Sequence, residues 1–366
     1  MAWEVGKVMA ERTNIEWCDA SLNLWWGCTK VSQGCKHCYA EHLSDQRYGR
    51  GCWGPTGTRQ EVKSWRSTLN KISRRAKAEG RRLKVFCSSM CDVFEGPDTM
   101  GGDWVGGAGS PFINPNYEVT RRLRAELLAL VPEHPELDFL LLTKRPENIL
   151  KMVPDKWLRA WPINAWIGTS VEDQATADER IPHLLNIPAR VRFLSCEPLV
   201  GAVEFYEEGH CCKKCGRLLT YGTEEDASYE VPCVNCGCTR WVWDLPSNKA
   251  SFGDGDLALD WVICGGEAGA NARPMDPNWA RSLRDQCRDA GVPFFFKQWG
   301  EWLPADHFQR DPEYVRWSNE EGLGMCITEA PGFTHVRDGM FRVGKKRAGS
   351  LLDGEEWKQF PEGWKP

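Results

Sequence analysis

Six times along this chain a short, almost unbroken apolar run ends in small polar or titratable residues. The runs are KVFCSS at 84–89, DFLLLT at 138–143, AWIGT at 165–169, VRFLS at 191–195, DWVIC at 260–264 and VPFFF at 292–296. Strands that face water on one side alternate polar and apolar residues, whereas runs this uniform belong to parallel strands covered on both faces. Helix-compatible stretches lie between them at 116–130, near 147–160, at 174–186 and at 277–290. The pattern predicts an α/β fold, with a partial (β/α) barrel of about six parallel strands favoured over an open sheet. Ser88, Ser89, Lys144, Ser170, Glu172, Glu197, Glu267, Lys297 and Gln298 all follow strand ends. Singly, each is an ordinary loop residue or helix cap; together they mark the rim where such a sheet builds its site.

The second constraint is a loop, WWGCTKVSQGCKHCYA at 25–40. Six residues separate Cys28 from Cys35 and two separate Cys35 from Cys38. A helix-compatible run follows from 39 to 48, which places Cys38 at a helix start, where the dipole favours a thiolate. Gly27 and Gly34 let the loop turn back on itself. Three close thiolates suit a four-iron cluster with one iron left open. They also suit zinc, with His37, His42, Cys18 or Cys52 as fourth ligand, and the bland alternative is three unrelated buried thiols. A run at 14–17 reads as an edge strand feeding this loop. A helix at 58–80 carries Arg59, Lys63, Arg66, Lys71, Arg74, Arg75 and Lys77. That face is either solvated or a phosphate contact.

An insertion at 205–258 interrupts the repeats. Cys212 and Cys215, then Cys233 and Cys236, form two CxxC pairs with a seventeen-residue spacer. Four sulfurs so spaced predict a zinc ribbon, either structural or a nucleic-acid module. The chain therefore divides into 1–204 and 259–302 as two parts of one barrel, 205–258 as the inserted module, and 303–366 as a polar extension.

Seventeen cysteines without an apolar signal core point to metal in a reducing compartment rather than to a secreted disulfide scaffold. No apolar run reaches membrane-spanning length, so the expectation is a cytoplasmic protein without a membrane partner. The net charge of −5 neither advertises nor excludes nucleic-acid binding. Nineteen tryptophans must mostly line core or pockets.

With these motifs assembled, the chain resembles a phage-associated family related to radical S-adenosylmethionine (SAM) enzymes. The resemblance rests on IEW at 15–17, the cysteine loop, SSMCDVF at 88–94, LLTKRPENI at 141–149, WIGTSVEDQ at 166–174, RFLSCEPLVG at 192–201, DWVICGGEAGANARPM at 260–275, FFFKQWGEW at 294–302 and AGSLLDGEEWKQFP at 348–361. It covers nearly everything but the insertion. It implies a [4Fe–4S] cluster on Cys28, Cys35 and Cys38, SAM on the open iron, and reductive cleavage to a 5′-deoxyadenosyl radical. The cysteine spacing departs from the commonest radical SAM motif, whose first gap is three residues. Ser88 and Ser89 stand where the SAM amino group is expected. Ser170, Glu172 and Arg180 are similar in placement to residues that hold its ribose and carboxylate. Cys196, Glu197 and Lys144 are the catalytic candidates. Cys87, Cys91, Cys196 and Cys264 are either hydrogen-atom donors or small buried hydrophobes. The implied partners are an electron donor such as a flavodoxin or ferredoxin, and DNA or RNA. The expected activity is repair or modification of a nucleobase or nucleic acid. Radical chemistry on a peptide or small molecule is the alternative, and a metal-binding adaptor without catalysis is a third.

Overall fold

A computed structural model describes residues 11–100, 114–205, 258–304 and 339–361, together with the backbone of short strands at 210–212, 218–219, 241–242 and 326–327. Seven strands form its main sheet: β1 (Ala20–Leu22), β2 (Leu83–Cys87), β3 (Leu137–Thr143), β4 (Ala165–Ser170), β5 (Arg192–Cys196), β6 (Trp261–Gly265) and β7 (Phe294–Gln298). They lie side by side in chain order. The pairs β1/β2, β2/β3, β3/β4, β5/β6 and β6/β7 are parallel. The order never doubles back, as it would in a doubly wound sheet. This is the α/β class and the parallel sheet that the apolar runs predict. The edge strand expected at 14–17 lies a few residues later, at β1, because Cys18 N–H closes a turn onto Ile15 O at 3.2 Å.

The chain clusters into two compact units, Met1–Thr169 with Ile187–Val191, and Ser170–Asn186 with Arg192–Pro366. In the first, α1 is Trp65–Glu79 and α2 is Pro115–Leu130. Trp65, Leu69, Ile72 and Ala76 recur at helical spacing and are buried. Each of the larger three contributes about 1.5–3 kcal/mol by leaving water. Gly80, at φ 63°, ends α1 in a conformation that other residues resist. The helix is shorter than the 58–80 expected, because residues 58–64 have other work: Gln60 and Glu61 pair antiparallel with Trp26 and Trp25. The single helix expected near 147–160 is broken into Pro146–Asn148, Ile149–Met152 and Asp155–Arg159. Pro154 forces Val153 out of the helical region, to ψ 154°.

In the second unit, α3 (Gln174–Leu185) starts on a capping box between Asp173 and Thr176, and α4 (Pro277–Ala290) starts on Asp276, whose carboxylate accepts from Asn278 N. The polar tail has more structure than its composition suggests. Leu351–Leu352 and Glu355–Glu356 form a hairpin over Asp353 and Gly354, both at positive φ, the turn that an Asp-Gly pair favours. Its continuation covers the edge of β7: Phe296 N donates to Trp357 O at 2.8 Å and Gln359 N to Phe294 O at 3.1 Å. Trp302–Pro304, Met340–Arg342 and Cys326–Ile327 make a small antiparallel sheet.

Of the insertion, only backbone is described. His210–Cys212 pairs antiparallel with Leu218–Leu219 and with Trp241–Val242. Cys215, Cys233 and Cys236 lie outside the described residues, as does the side chain of Cys212. No helix among the described residues is long and apolar enough to cross a membrane.

Candidate functional site

In the first unit the cysteine loop leaves the end of β1 and is sewn to the end of β2. Asn23 is buried; its Oδ1 accepts from Met90 N at 2.9 Å and its Nδ2 donates to Ser89 Oγ at 3.0 Å. Gly27 N donates to Met90 O at 3.1 Å. Gly27 is at φ 114°, and a Cβ there would sit 2.4 Å from Cys52 O, so the close approach admits only glycine. The far end of the loop returns to the same place: Tyr39 Oη donates to Ser89 O at 3.1 Å. Lys30 and Glu41 clip the two limbs together at 2.6 Å.

Cys38 is the N-cap of Tyr39–Glu41, which continues as a π-helical stretch, His42–Arg47. Burial pushes its thiol up, while the amides of Glu41 and Ala40 pull the other way. This is the helix-start placement that the sequence predicts. Cys35 is buried and closes a 3₁₀ turn, Gln33–Cys35, its sulfur 3.8 Å from Ser32 Oγ. Trp26, Ala40, Cys52 and Met90 form an apolar floor, against which Cys38, Tyr48 and Trp53 pack.

Cys28 stands at the mouth of a buried ion-pair network. Arg145 Nη1 lies 3.7 Å from its sulfur and 2.8 Å from Asp92 Oδ2; Arg145 Nη2 donates to Thr29 O at 2.7 Å. Arg59 and Glu95, with wholly buried side chains, pair through two bonds, Nε to Oε2 at 2.9 Å and Nη2 to Oε1 at 2.7 Å. Glu95 Oε1 also accepts from Thr29 N at 2.9 Å. Arg59 Nη1 reaches the carbonyls of Cys52, Gly54 and Gly57, which belong to the loop returning past Cys28. Asp92 further accepts from Thr143 Oγ1 and Lys144 N, so the end of β3 joins the same network. Burial and Glu95 push the Cys28 thiol up, and Arg145 opposes them. Arg145 itself stays protonated, because Asp92, Cys28 and Glu95 outweigh its burial.

Asp92, Glu95 and Arg145 lie outside the sites that the sequence predicts, and Arg59 is expected on a helix face instead. Their signal was present: two acids three apart inside the apolar run SSMCDVFEG, and an arginine directly behind an apolar strand. The helix arginines also find partners within the fold. Arg66 pairs with Glu61 and Glu126, Arg75 with Glu79, and Arg81, just past α1, with Asp19 and Glu79.

In the second unit the strand ends gather a separate polar group. Ser170, Glu172 and Arg180 come together, with Arg180 Nη1 donating to Ser170 O at 2.8 Å and to Glu172 Oε2 at 3.0 Å. All three are buried. Cys196 is buried, its thiol pushed up to about 12 by burial and by Glu172. Beside it Glu197 pairs with Lys297 at 2.6 Å, each about a fifth exposed. A bulge places them: Cys264 stands opposite Phe296 but Gly265 opposite Gln298, so Lys297 is the extra residue and is re-aimed. Gly265 leaves the gap between them; a Cβ there would be 3.5 Å from both side chains. Gly266 and Gly300 let their two backbones touch, and Glu267 is held by Arg273 through Oε1 at 2.8 Å.

Cys28, Cys35 and Cys38 are free thiols on one loop, the soft donor set that an iron–sulfur cluster or zinc requires. Among the described residues, no three His, Cys, Asp or Glu side chains stand close enough to share an ion as they are. A family model described as a protein of unknown function, DUF5131, matches residues 12–100 and 114–361. Neither curated proteins nor solved structures yield a match.

Proposed function

The chain belongs to the family of proteins of unknown function DUF5131, and we propose that it is a radical SAM enzyme with a [4Fe–4S] cluster on Cys28, Cys35 and Cys38. The observation that carries this reading is the build of the loop. It joins one sulfur at a helix start to another beside a buried guanidinium, all at the end of a strand in a parallel sheet. Bound on Cys28, Cys35 and Cys38, such a cluster would supply one-electron reduction of SAM and thereby radical hydrogen-atom abstraction from a substrate. This chain's residues have the remaining tasks. The apolar floor of Trp26, Ala40 and Met90 packs against Cys38 and shields that side of its sulfur from water. Ser89, sewn to the loop through Asn23 and Tyr39, and its buried neighbour Ser88 are the groups offered to the amino group of SAM.

In the second unit, Glu197 and Lys297 are the pair offered to the substrate. Lys297 holds Glu197 Oε1, which leaves Oε2 to accept a substrate donor and the remaining ammonium protons to donate. Cys196 is retained as a hydrogen-atom donor candidate on its chemistry alone, since its thiol is wholly buried. A nucleobase or nucleic acid is proposed as substrate, with the inserted cysteine-rich module, read as a zinc ribbon, as its contact. The arginine-rich helix argues for it less than its sequence suggests, since Arg66 and Arg75 are paired within the fold. Trp25, Trp65, Trp157, Trp261 and Trp299 are core residues rather than stacking platforms.

The test is anaerobic reconstitution with iron and sulfide, followed by dithionite, SAM and a measurement of 5′-deoxyadenosine. Four irons per chain and 5′-deoxyadenosine release, both lost in Cys35→Ala, are expected. A reduced, iron-loaded protein that leaves SAM intact would end the proposal, as would zinc on the loop with no uptake of iron. DNA or RNA binding that weakens steeply with salt supports the nucleic-acid substrate, and binding insensitive to salt removes it.

A further inference from the structure

Among the described cations near the cysteine loop, Arg145 is set apart by its contact with a cysteine sulfur. Its side chain is 3% exposed. Asp92 holds Nη1 at 2.8 Å, Thr29 O holds Nη2 at 2.7 Å, and Glu95 Oε1 lies 3.8 Å from Nη2. Three sides of the guanidinium are thus fixed by acceptors, and Nη1 also faces Cys28 Sγ at 3.7 Å. Among the described residues, Cys35 faces a serine hydroxyl and Cys38 the amides that start its helix. Asp92 in turn is held by Thr143 Oγ1 and the amide of Lys144, so the arginine's anchor belongs to the end of β3. A planar fork locked in this way cannot turn from the sulfur without breaking two buried bonds.

We infer that Arg145 is a positioning residue for the cluster: it fixes the Cys28 ligand and donates a charge-assisted N–H···S contact that raises the cluster's reduction potential. The inference rests on the reading of the cysteine loop given above. A donor to a ligating sulfur, and a fixed positive charge beside it, both stabilise the state carrying the extra electron. Asp92 and Glu95 oppose that effect at the same sulfur, so the inference concerns the arginine's own contribution, which its removal isolates. The electron comes from dithionite, which takes the cluster from the 2+ to the 1+ state in one step.

The experiment is an EPR-monitored redox titration of the reconstituted protein, with iron counted in every sample. Arg145→Gln is expected to shift the one-electron equilibrium about tenfold toward the oxidised state, a potential lower by about 59 mV. Arg145→Lys, which keeps the charge but not the fork, should fall between. Arg145→Gln leaves the buried Asp92 carboxylate without its cation and can fail to fold. In that event Asp92→Asn/Arg145→Gln is compared with Asp92→Asn, where the same lowering is expected. An unchanged potential in whichever pair folds overturns the inference. So does an equal drop in Asp92→Asn alone, which keeps the arginine. A wild-type protein that takes up no cluster defeats the reading of the loop itself, and the inference with it. A cluster that assembles normally but has an indifferent potential defeats only the inference.

Discussion

Glu95→Gln is the substitution that most directly asks whether the buried network holds the cysteine loop. The change is isosteric and removes one charge. Glu95 now accepts from Thr29 N, Arg59 Nη2 and Arg59 Nε, and stands 3.8 Å from Arg145. A glutamine offers one oxygen in place of two and points an NH₂ group at the donors of Arg59. Two guanidinium groups then share one remaining carboxylate, that of Asp92. Breaking a fully buried pair by neutralising one partner costs about 3–5 kcal/mol. A chain of two compact units need not unfold in one step, so a single melting curve is a poor readout. Hydrogen exchange read by mass spectrometry is local. The protected amides to follow are Gly54 N to Cys28 O, Val62 N to Leu24 O and Gly27 N to Met90 O. At about 1.4 kcal/mol per tenfold, a cost of 3 kcal/mol or more speeds their exchange by about a hundredfold or beyond. Peptides from α4, in the other unit, serve as the internal control and should change by less than threefold. An acceleration below tenfold in the loop amides, or an equal one in α4, would refute the argument. Arg59→Met should be worse, since it also strands the carbonyls of Cys52, Gly54 and Gly57.

Other outcomes follow from single contacts. Burial lowers Lys84 from 10.5 to about 7, against the raising effects of Asp138 and Asp19. A lysine depressed in the fold destabilises it wherever the unfolded chain is protonated, with the full effect below about pH 7 and none above about 10.5. Lys84→Met should therefore stabilise the protein at neutral pH by about 4–5 kcal/mol, at about 1.36 kcal/mol per pKa unit, with the gain fading as pH rises toward 10.5; a gain that is flat across urea titrations at pH 7, 8.5 and 10 contradicts this. Gly266→Ala would place a Cβ 1.9 Å from Trp299 O, backbone against backbone; a loss above about 4 kcal/mol in chemical denaturation is expected, and a loss under 1 kcal/mol would show that the strand ends can part. Cys38→Ser keeps the helix cap but exchanges a soft donor for a hard one, so iron uptake should fall to background while exchange in 39–47 stays within threefold; retained iron would remove Cys38 from the ligand set.

What the amino-acid order determined by itself was periodicity and chemistry at fixed spacing. Uninterrupted apolar runs have one stable environment, the middle of a covered parallel sheet, and six of the seven strands were legible to within two residues for that reason. Cys38 at a helix start and the run at 277–290 as a helix were equally local. The tertiary structure alone decided which charges are buried together. Arg59, Asp92, Glu95 and Arg145 are separated by up to 86 residues, 145 less 59, and nothing in their own neighbourhoods says that they meet. A helical pattern of basic residues beginning at Arg59 looks the same whether its first arginine faces water or is sealed between two loops. The bulge that turns Lys297 toward Glu197 is likewise invisible along the chain, because it is a mismatch between two strands. Hydrophobic burial is written residue by residue; the partner of a buried charge is selected only when distant segments close around it, since an isolated charge left there would cost more than the fold can supply.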